Sequence, residues 1–261
     1  MASKTASSGS FLSGVINGIT IYFRVPRILF RYKLWPFQLL PAVISLFLSI
    51  ALFWIFYLVA GRFSEWMDGL IRVPIEWLDQ TITITMAVLT FIALAAGFFF
   101  VHKHLVLIAL APFLGTIAEE TMKAVKGDSY VKSDLGIVPS LGRSAQINLR
   151  YILREIVTNL GFLCCGIIPL FGSVVSATGM FLTQARFLGY GLMDFPLENR
   201  GLSVNESDRF AHQRKGLSVG IGAGYLLLMM IPFVGWMFAP TFGTVAGTLR
   251  AIEELDAQAA E

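Results

Sequence analysis

The sequence predicts an all-α integral membrane protein with two long transmembrane helices, two pairs of half-penetrating helical hairpins, and amphipathic surface helices. Three observations predict it. First, 56% of the 261 residues are hydrophobic and only 14% are charged, against about 25% charged in soluble domains. Second, the charges are missing from long blocks, not thinned evenly, which is the pattern a bilayer selects. Third, the two longest uncharged blocks are each interrupted by an Ile-Pro-x-x-Gly centre. The expected organisation is a disordered tail over 1–9, one membrane domain over 10–255 and a second tail over 256–261. Within that domain the spans lie at about 34–60 and 81–110, and the hairpins at about 156–195 and 216–250.

Residues 10–33 are amphipathic: Phe11, Val15, Ile19, Tyr22 and Phe23 recur at helical spacing, and Arg24, Arg27, Arg31 and Lys33 follow. Pro26 breaks or kinks this segment, and an interfacial helix fits it best. Leu34 to Ala60 carries no charge and reaches about 40 Å as a helix, enough to span with tilt. Residues 61–80 alternate charge and apolar bulk, as a helical turn on the far surface punctuated by Pro74 would. Thr81 to Val101 is the second uncharged block. His102, Lys103 and His104 read as its interfacial end-marker or, functionally, as a proton-responsive group. The apolar run beyond them continues to Glu119 and Glu120.

Residues 119–155 are the most polar part, with a helix expected from about Ser140. Arg143, Arg150 and Arg154 share one face of it, read as its wet side. Ile156 to Ala185 and Leu217 to Leu249 are the two interrupted blocks, centred on Ile168-Pro169-Leu170-Phe171-Gly172 and Ile231-Pro232-Phe233-Val234-Gly235. Each overshoots a hydrocarbon core of roughly 30 Å as one helix, and each half falls short of it. A hairpin that enters the bilayer and returns satisfies both limits, with Pro169, Gly172, Pro232 and Gly235 at the tips. Kinked or tilted full spans are the alternative. Broken backbone at membrane depth must be buried in protein or line a cavity, and paired broken segments point to a transport site.

Charge sets the orientation. The first 33 residues carry Lys4, Arg24, Arg27, Arg31 and Lys33 and no acid, which places the N-terminus in the cytoplasm. Hairpins do not change sides, so the C-terminus follows. Residues 1–10 do not read as a signal peptide, because the first long apolar run begins only at Leu34.

The same residues narrow the functions. A net charge of +3, with basic residues beside apolar segments, makes no case for nucleic acid. Cys164 and Cys165 are adjacent, so neither a disulfide nor a metal centre is expected. No cofactor motif and no nucleophile–base set is present, and an enzyme is not expected. Gly216, Gly220, Gly222 and Gly224 read as close helix contacts. Five cations are candidates for anion binding: Arg24, Arg27, Arg31 and Lys33 ahead of the first span, and Arg186 in the first hairpin. The first four serve equally well as topology-setting charges beside anionic lipid. Arg186 serves equally well by snorkelling or by pairing with Asp194.

Several stretches run in one order through a known family: Ala111-Pro112-Phe113 with Glu119, Ile168-Pro169-x-x-Gly172, Gly189-Tyr190 through Asp194-Phe195-Pro196-Leu197-Glu198, Arg214-Lys215-Gly216, and Pro232 to Pro240. In these the chain resembles the CysZ-type sulfate permeases and the broader etoposide-induced protein 2.4 superfamily. The resemblance implies two long transmembrane helices with two half-penetrating pairs, homo-oligomers in membrane lipid, and sulfate uptake for cysteine synthesis across a bacterial inner membrane. In that family the anion site resembles a Gly-x-Arg turn just before the first long helix. Here Lys33-Leu34-Trp35-Pro36-Phe37 stands at that place. Two readings follow: a permease for sulfate or a related oxyanion, or a non-transporting scaffold of the same superfamily, the latter motivated by the altered turn and by the lack of an evident buried charged site.

Overall fold

A computed structural model of the protein describes residues 11–70, 76–127, 137–166, 168 and 171–259. Among them the ordered structure is entirely helical. The amphipathic N-terminal segment is divided: α1 covers Phe11–Thr20, a short 3-10 turn covers Ile21–Phe23, and α2 covers Val25–Arg31. Pro26 causes the division by sitting in the first turn of α2, where its missing N–H costs nothing.

Two long helices follow, α3 (Trp35–Leu70) and α4 (Glu76–Ala109). They contain apolar stretches of 29 and 31 residues, Trp35–Phe63 and Asp79–Ala109, with mean hydropathies of 2.5 and 2.4. Length and hydropathy alone would also suit the core helix of a water-soluble protein. Burial separates the two cases, because only 22% of the first apolar window and 7% of the second are covered by the rest of the chain. Phe47, Trp54 and Ile55 on α3 and Ile84, Phe91 and Ile92 on α4 point outward, each more than half exposed. Soluble monomers rarely expose an apolar surface of this extent; on two helices of spanning length it is the surface expected of a protein solvated by lipid. The inner sides of α3 and α4 meet through edge-to-face contacts of Phe98 with Phe53 and Phe56.

The region after Val101 is not one continuous helix. A turn at Leu110 separates α4 from α5 (Ala111–Lys126), and Pro112 lies in the first turn of α5. Then come α6 (Ile137–Cys165) and α7 (Phe171–Asn199), α8 (Val204–Gln213), and finally α9 (Lys215–Met229) and α10 (Val234–Ala259). Ser203 and Glu206 form a reciprocal capping box that starts α8. Breaks fall at both Ile-Pro-x-x-Gly centres. Pro232 lies in the turn between α9 and α10, beside Phe233 with φ of 60°. Gly172 and Gly235 are the second residues of α7 and α10. A Cβ on Gly172 would stand 2.1 Å from the Cys165 carbonyl oxygen, and one on Gly235 would stand 1.8 Å from that of Leu228. Only glycine lets each helix start that close to the end of its predecessor. Pro169 lies outside the described residues, as do Pro74 and the 1–9 tail.

The core forms around α9, which packs against α1, α7 and α10. Its glycines are the contact points: a Cβ on Gly220 would reach 2.2 Å from the Val15 carbonyl oxygen, and one on Gly222 would reach 1.7 Å from that of Ala185. The N-terminal segment is therefore part of the tertiary structure as well as amphipathic. Ile21, Val25 and Leu29 are fully or almost fully buried within it.

Candidate functional site

A polar seam runs through the contact between the long helices and both helix pairs. On α3, Gln38, Ser45 and Ser49 are completely buried. Their spacing of seven and then four residues puts them on one helical face. Ser45 donates its hydroxyl to the Trp236 carbonyl at 2.6 Å, tying α3 to the first turn of α10. Ser49 donates to the Ser45 carbonyl at 2.6 Å and lies 2.5 Å from Nε2 of His102. The Trp236 indole packs over Phe98 and His102 and donates to the Met229 carbonyl at 3.1 Å. The second interrupted block thus delivers its turn to the side of the seam.

The next two residues of α4 turn toward α6. Lys103 Nζ donates to Oε1 of Glu155 at 2.5 Å, and both side chains have no exposed surface. His104 bridges the other carboxylate oxygen, with Nε2 at 3.2 Å from Glu155 Oε2 and Nδ1 at 3.2 Å from Asn148 Oδ1. Asn148 in turn donates to the Ser144 carbonyl at 2.9 Å. The Lys103 ammonium also lies 5.2 Å from the Phe100 ring centre. Two buried polar groups remain unsatisfied on the α3 side, the Gln38 amide and Nδ1 of His102. Buried polar atoms without partners are rare in folded proteins, and here they line the same seam.

These positions correct the sequence reading. His102, Lys103 and His104 are not an end-marker at the interface: all three are buried, inside α4, and engaged. The expectation of no buried charged site fails with them. Two signals pointed to the seam in the sequence. One is the polar triplet inside an otherwise apolar run; the other is the Gln38, Ser45, Ser49 spacing on the first span. Glu155 gave no such signal, because its partners lie more than fifty residues away and meet it only when α6 packs on α4.

The five candidate cations do not assemble into one site. Arg24, Arg27, Arg31 and Lys33 are all exposed. Arg24 pairs with Glu253 of α10 at 3.1 Å, Arg31 lies over the Tyr32 ring, and Lys33 has a positive φ of 54°. Arg186 is on α7, donating to the Tyr190 hydroxyl at 2.8 Å and lying 3.0 Å from His212 Nε2. It does not pair with Asp194. That carboxylate is taken by Arg143, whose Nε and Nη2 reach its two oxygens at 3.1 and 2.7 Å. Arg143 is therefore no part of a wet face. Arg150 bonds Asn205, and Arg154 grips Asp208 at 3.1 Å, so the whole stripe tethers α6 to the α7–α8 region. Glu198, one turn after Asp194, is pushed up to about 7 by burial and by the neighbouring carboxylate, against the opposing pull of Arg143. Among the described residues no group of His, Cys, Asp and Glu is arranged to hold a metal.

Comparisons with known proteins give the chain its relatives. A sulfate transporter CysZ of Pseudomonas fluorescens Pf0-1 is 28% identical over 225 residues, covering 85% of this chain and 87% of its own. Sulfate transporters CysZ of Vibrio atlanticus and Pectobacterium atrosepticum are 27% and 23% identical, covering 78% and 86% of this chain and 80% of each relative. The family described as Sulfate transporter CysZ/Etoposide-induced protein 2.4 matches residues 21–240, which takes in α2 through the start of α10 and every residue of the seam, and the chain belongs to that family.

Proposed function

We propose that this protein is a permease for a small oxyanion, with sulfate as its first substrate, in a bacterial inner membrane. The observation that carries the reading is the Lys103–Glu155–His104 group, enclosed where the second long helix meets the first helix pair. Ionisable groups on a membrane-spanning helix are costly and are kept where a solute path needs them. Lys103 is the cation that an oxyanion meets inside the protein, and Glu155 is its resting partner. The names of the related proteins support sulfate as the solute.

Both helix pairs enter and leave the bilayer on the same side. Fifteen residues of α9 reach about 22 Å, short of the roughly 30 Å core. In α6 the charge of Glu155 leaves only Ile156–Cys165 before the turn. The turns with Pro169, Gly172, Pro232 and Gly235 then sit at depth, and Trp236 places the second turn beside the seam. With lysine and arginine counted, both termini are cytoplasmic. Arg24, Arg27, Arg31 and Lys33 supply positive potential ahead of α3, drawing anions or lipid head groups to that face. The outward apolar residues of α6, Val157, Leu160 and Leu163, offer a face to lipid and to further copies of the chain. The reading needs no cofactor and no catalytic step.

Lys33-Leu34-Trp35-Pro36-Phe37, in place of the family's Gly-x-Arg turn, favours a second reading, a scaffold that moves no solute. Radiolabelled uptake into proteoliposomes separates the two. The permease reading expects sulfate or sulfite to enter above the level of protein-free vesicles and to compete with one another. Flux equal to protein-free vesicles for both anions would leave the scaffold.

A further inference from the structure

A cavity of about 500 Å³ opens where α1, the α8–α9 junction and α10 meet, remote in sequence from the seam. Its lining is unevenly charged. His212, Arg214, Lys215 and Arg250 face it, with Glu254 as the one acid. Glu254 is bound to Arg214 at 2.6 Å, which leaves Lys215 as the lining cation without an acidic partner. Arg250 is held by Glu253 at 2.5 Å and by the Asn17 carbonyl at 2.8 Å, while its Nε is buried and without a partner. Lys215 is exposed and makes no hydrogen bond or ion pair among the described residues. The floor is the start of α9, where Arg214 offers no side-chain cap and Gly216 and Leu217 line the cavity. The free N–H groups of a helix start add to the positive potential of the cations around them.

We infer that this cavity is a second oxyanion site, which binds a tetrahedral phosphate-type or sulfate-type oxyanion through Lys215, Arg250 and the first turn of α9. The ligand class is a phosphate-type or sulfate-type group, either free in solution or as the head group of an anionic phospholipid. The site does not depend on the transport reading, since it shares no residue with the seam. The glycines in it have a purpose in this light. A Cβ on Gly14 would come within 3.0 Å of the Leu217 nitrogen, and one on Gly216 within 2.4 Å of the Phe11 carbonyl oxygen. Both keep α1 close enough to wall the cavity.

The test uses the full-length purified protein in detergent, titrated with sulfate and with inorganic phosphate at constant ionic strength and followed by calorimetry. The same protein is then examined by native mass spectrometry after extraction from vesicles of phosphatidylglycerol or of phosphatidylcholine. Lys215→Gln weakens binding at least tenfold, and Glu254→Gln, which frees Arg214, tightens it about threefold. Both substitutions are at the surface, and unchanged melting temperatures show that the fold persists. If the variants shift the calorimetric affinity, the ligand is the free anion; if they shift retention of phosphatidylglycerol alone, it is the lipid head group. Either result supports the site. Equal binding of wild type and both variants in both assays overturns it, whatever the uptake measurements give.

Discussion

The two interrupted blocks carry the same Ile-Pro-x-x-Gly centre and fold into similar helix pairs, yet the first helices of the two pairs, α6 and α9, are held in place by different forces. The α9–α10 pair is anchored by close backbone approach. Gly220 and Gly222 of α9 and Gly247 of α10 lie so near the backbones of α1 and α7 that a methyl group would collide with a carbonyl oxygen. The α6–α7 pair shares those contacts through α7, where a Cβ on Gly189 would lie 1.9 Å from the Ser218 carbonyl oxygen, while α6 is anchored by charge: Lys103 and His104 on Glu155, Arg143 on Asp194 and Arg154 on Asp208. The outer face of this pair stays bare, with Val157, Val174 and Phe171 at 70%, 68% and 84% exposure. The difference teaches that lipid offers little hydrophobic incentive for helices to associate. Association then rests either on small residues that let backbones touch or on polar groups that lipid cannot satisfy. In this chain α9 uses the first device and α6 the second.

Breaking the charged anchor should have the largest effect. Glu155→Gln leaves the Lys103 ammonium buried without its carboxylate, at a cost of about 3–5 kcal/mol. Thermal melting in detergent should show a large loss. The double change Lys103→Met with Glu155→Leu should recover most of that stability, because a buried pair exchanged for apolar residues is often neutral. If the double variant stays fully folded and still carries sulfate, the seam is only structural. Gly222→Ala strikes the other anchor. Its methyl would lie 1.7 Å from a backbone oxygen that cannot move without α7, so a loss of about 3 kcal/mol or more is expected. The readout is dispersity by size-exclusion chromatography and melting temperature.

A smaller effect concerns pH. Glu198 binds its proton more tightly in the folded protein, at about 7, than a carboxyl does in an unfolded chain. The stability this gives is complete below the ordinary carboxyl range and is lost as pH rises through about 7. Melting temperatures should therefore fall across that window, by a loss of up to about 3 kcal/mol in stability, and Glu198→Gln should flatten the slope. An unchanged slope in the variant would assign the pH dependence elsewhere. The smallest effect is the control. Gly161→Ala on α6 meets nothing within 4 Å, so its melting temperature should match wild type within about 0.5 kcal/mol. A large loss there would mean that α6 is also packed by backbone contact, and the contrast between α6 and α9 would fail.

Much of this was legible before any coordinates. Charge-free length identified the two long helices, the repeated Pro–Gly centre located both turns, and the glycines of α9 announced close packing. The resemblance carried by Ala111-Pro112-Phe113 and the Asp194 to Glu198 stretch led to the family that residues 21–240 match. What stayed hidden is pairing. Arg143, Arg150 and Arg154 look like any solvated stripe, and Arg186 looks like the natural partner of Asp194 eight residues on. Both impressions rest on nearness in sequence. In the structure Asp194 turns to Arg143, fifty-one residues away, and Arg186 turns to His212.

Sequence alone determined which stretches suit lipid and where the backbone must break, because hydropathy and the Pro–Gly restrictions act locally. Tertiary structure decided which charges could be buried. A lysine inside an apolar helix is tolerable only opposite a carboxylate, and the carboxylate that meets Lys103 belongs to α6, brought there by packing. The site therefore exists as a relation between helices, and no single stretch of the chain contains it.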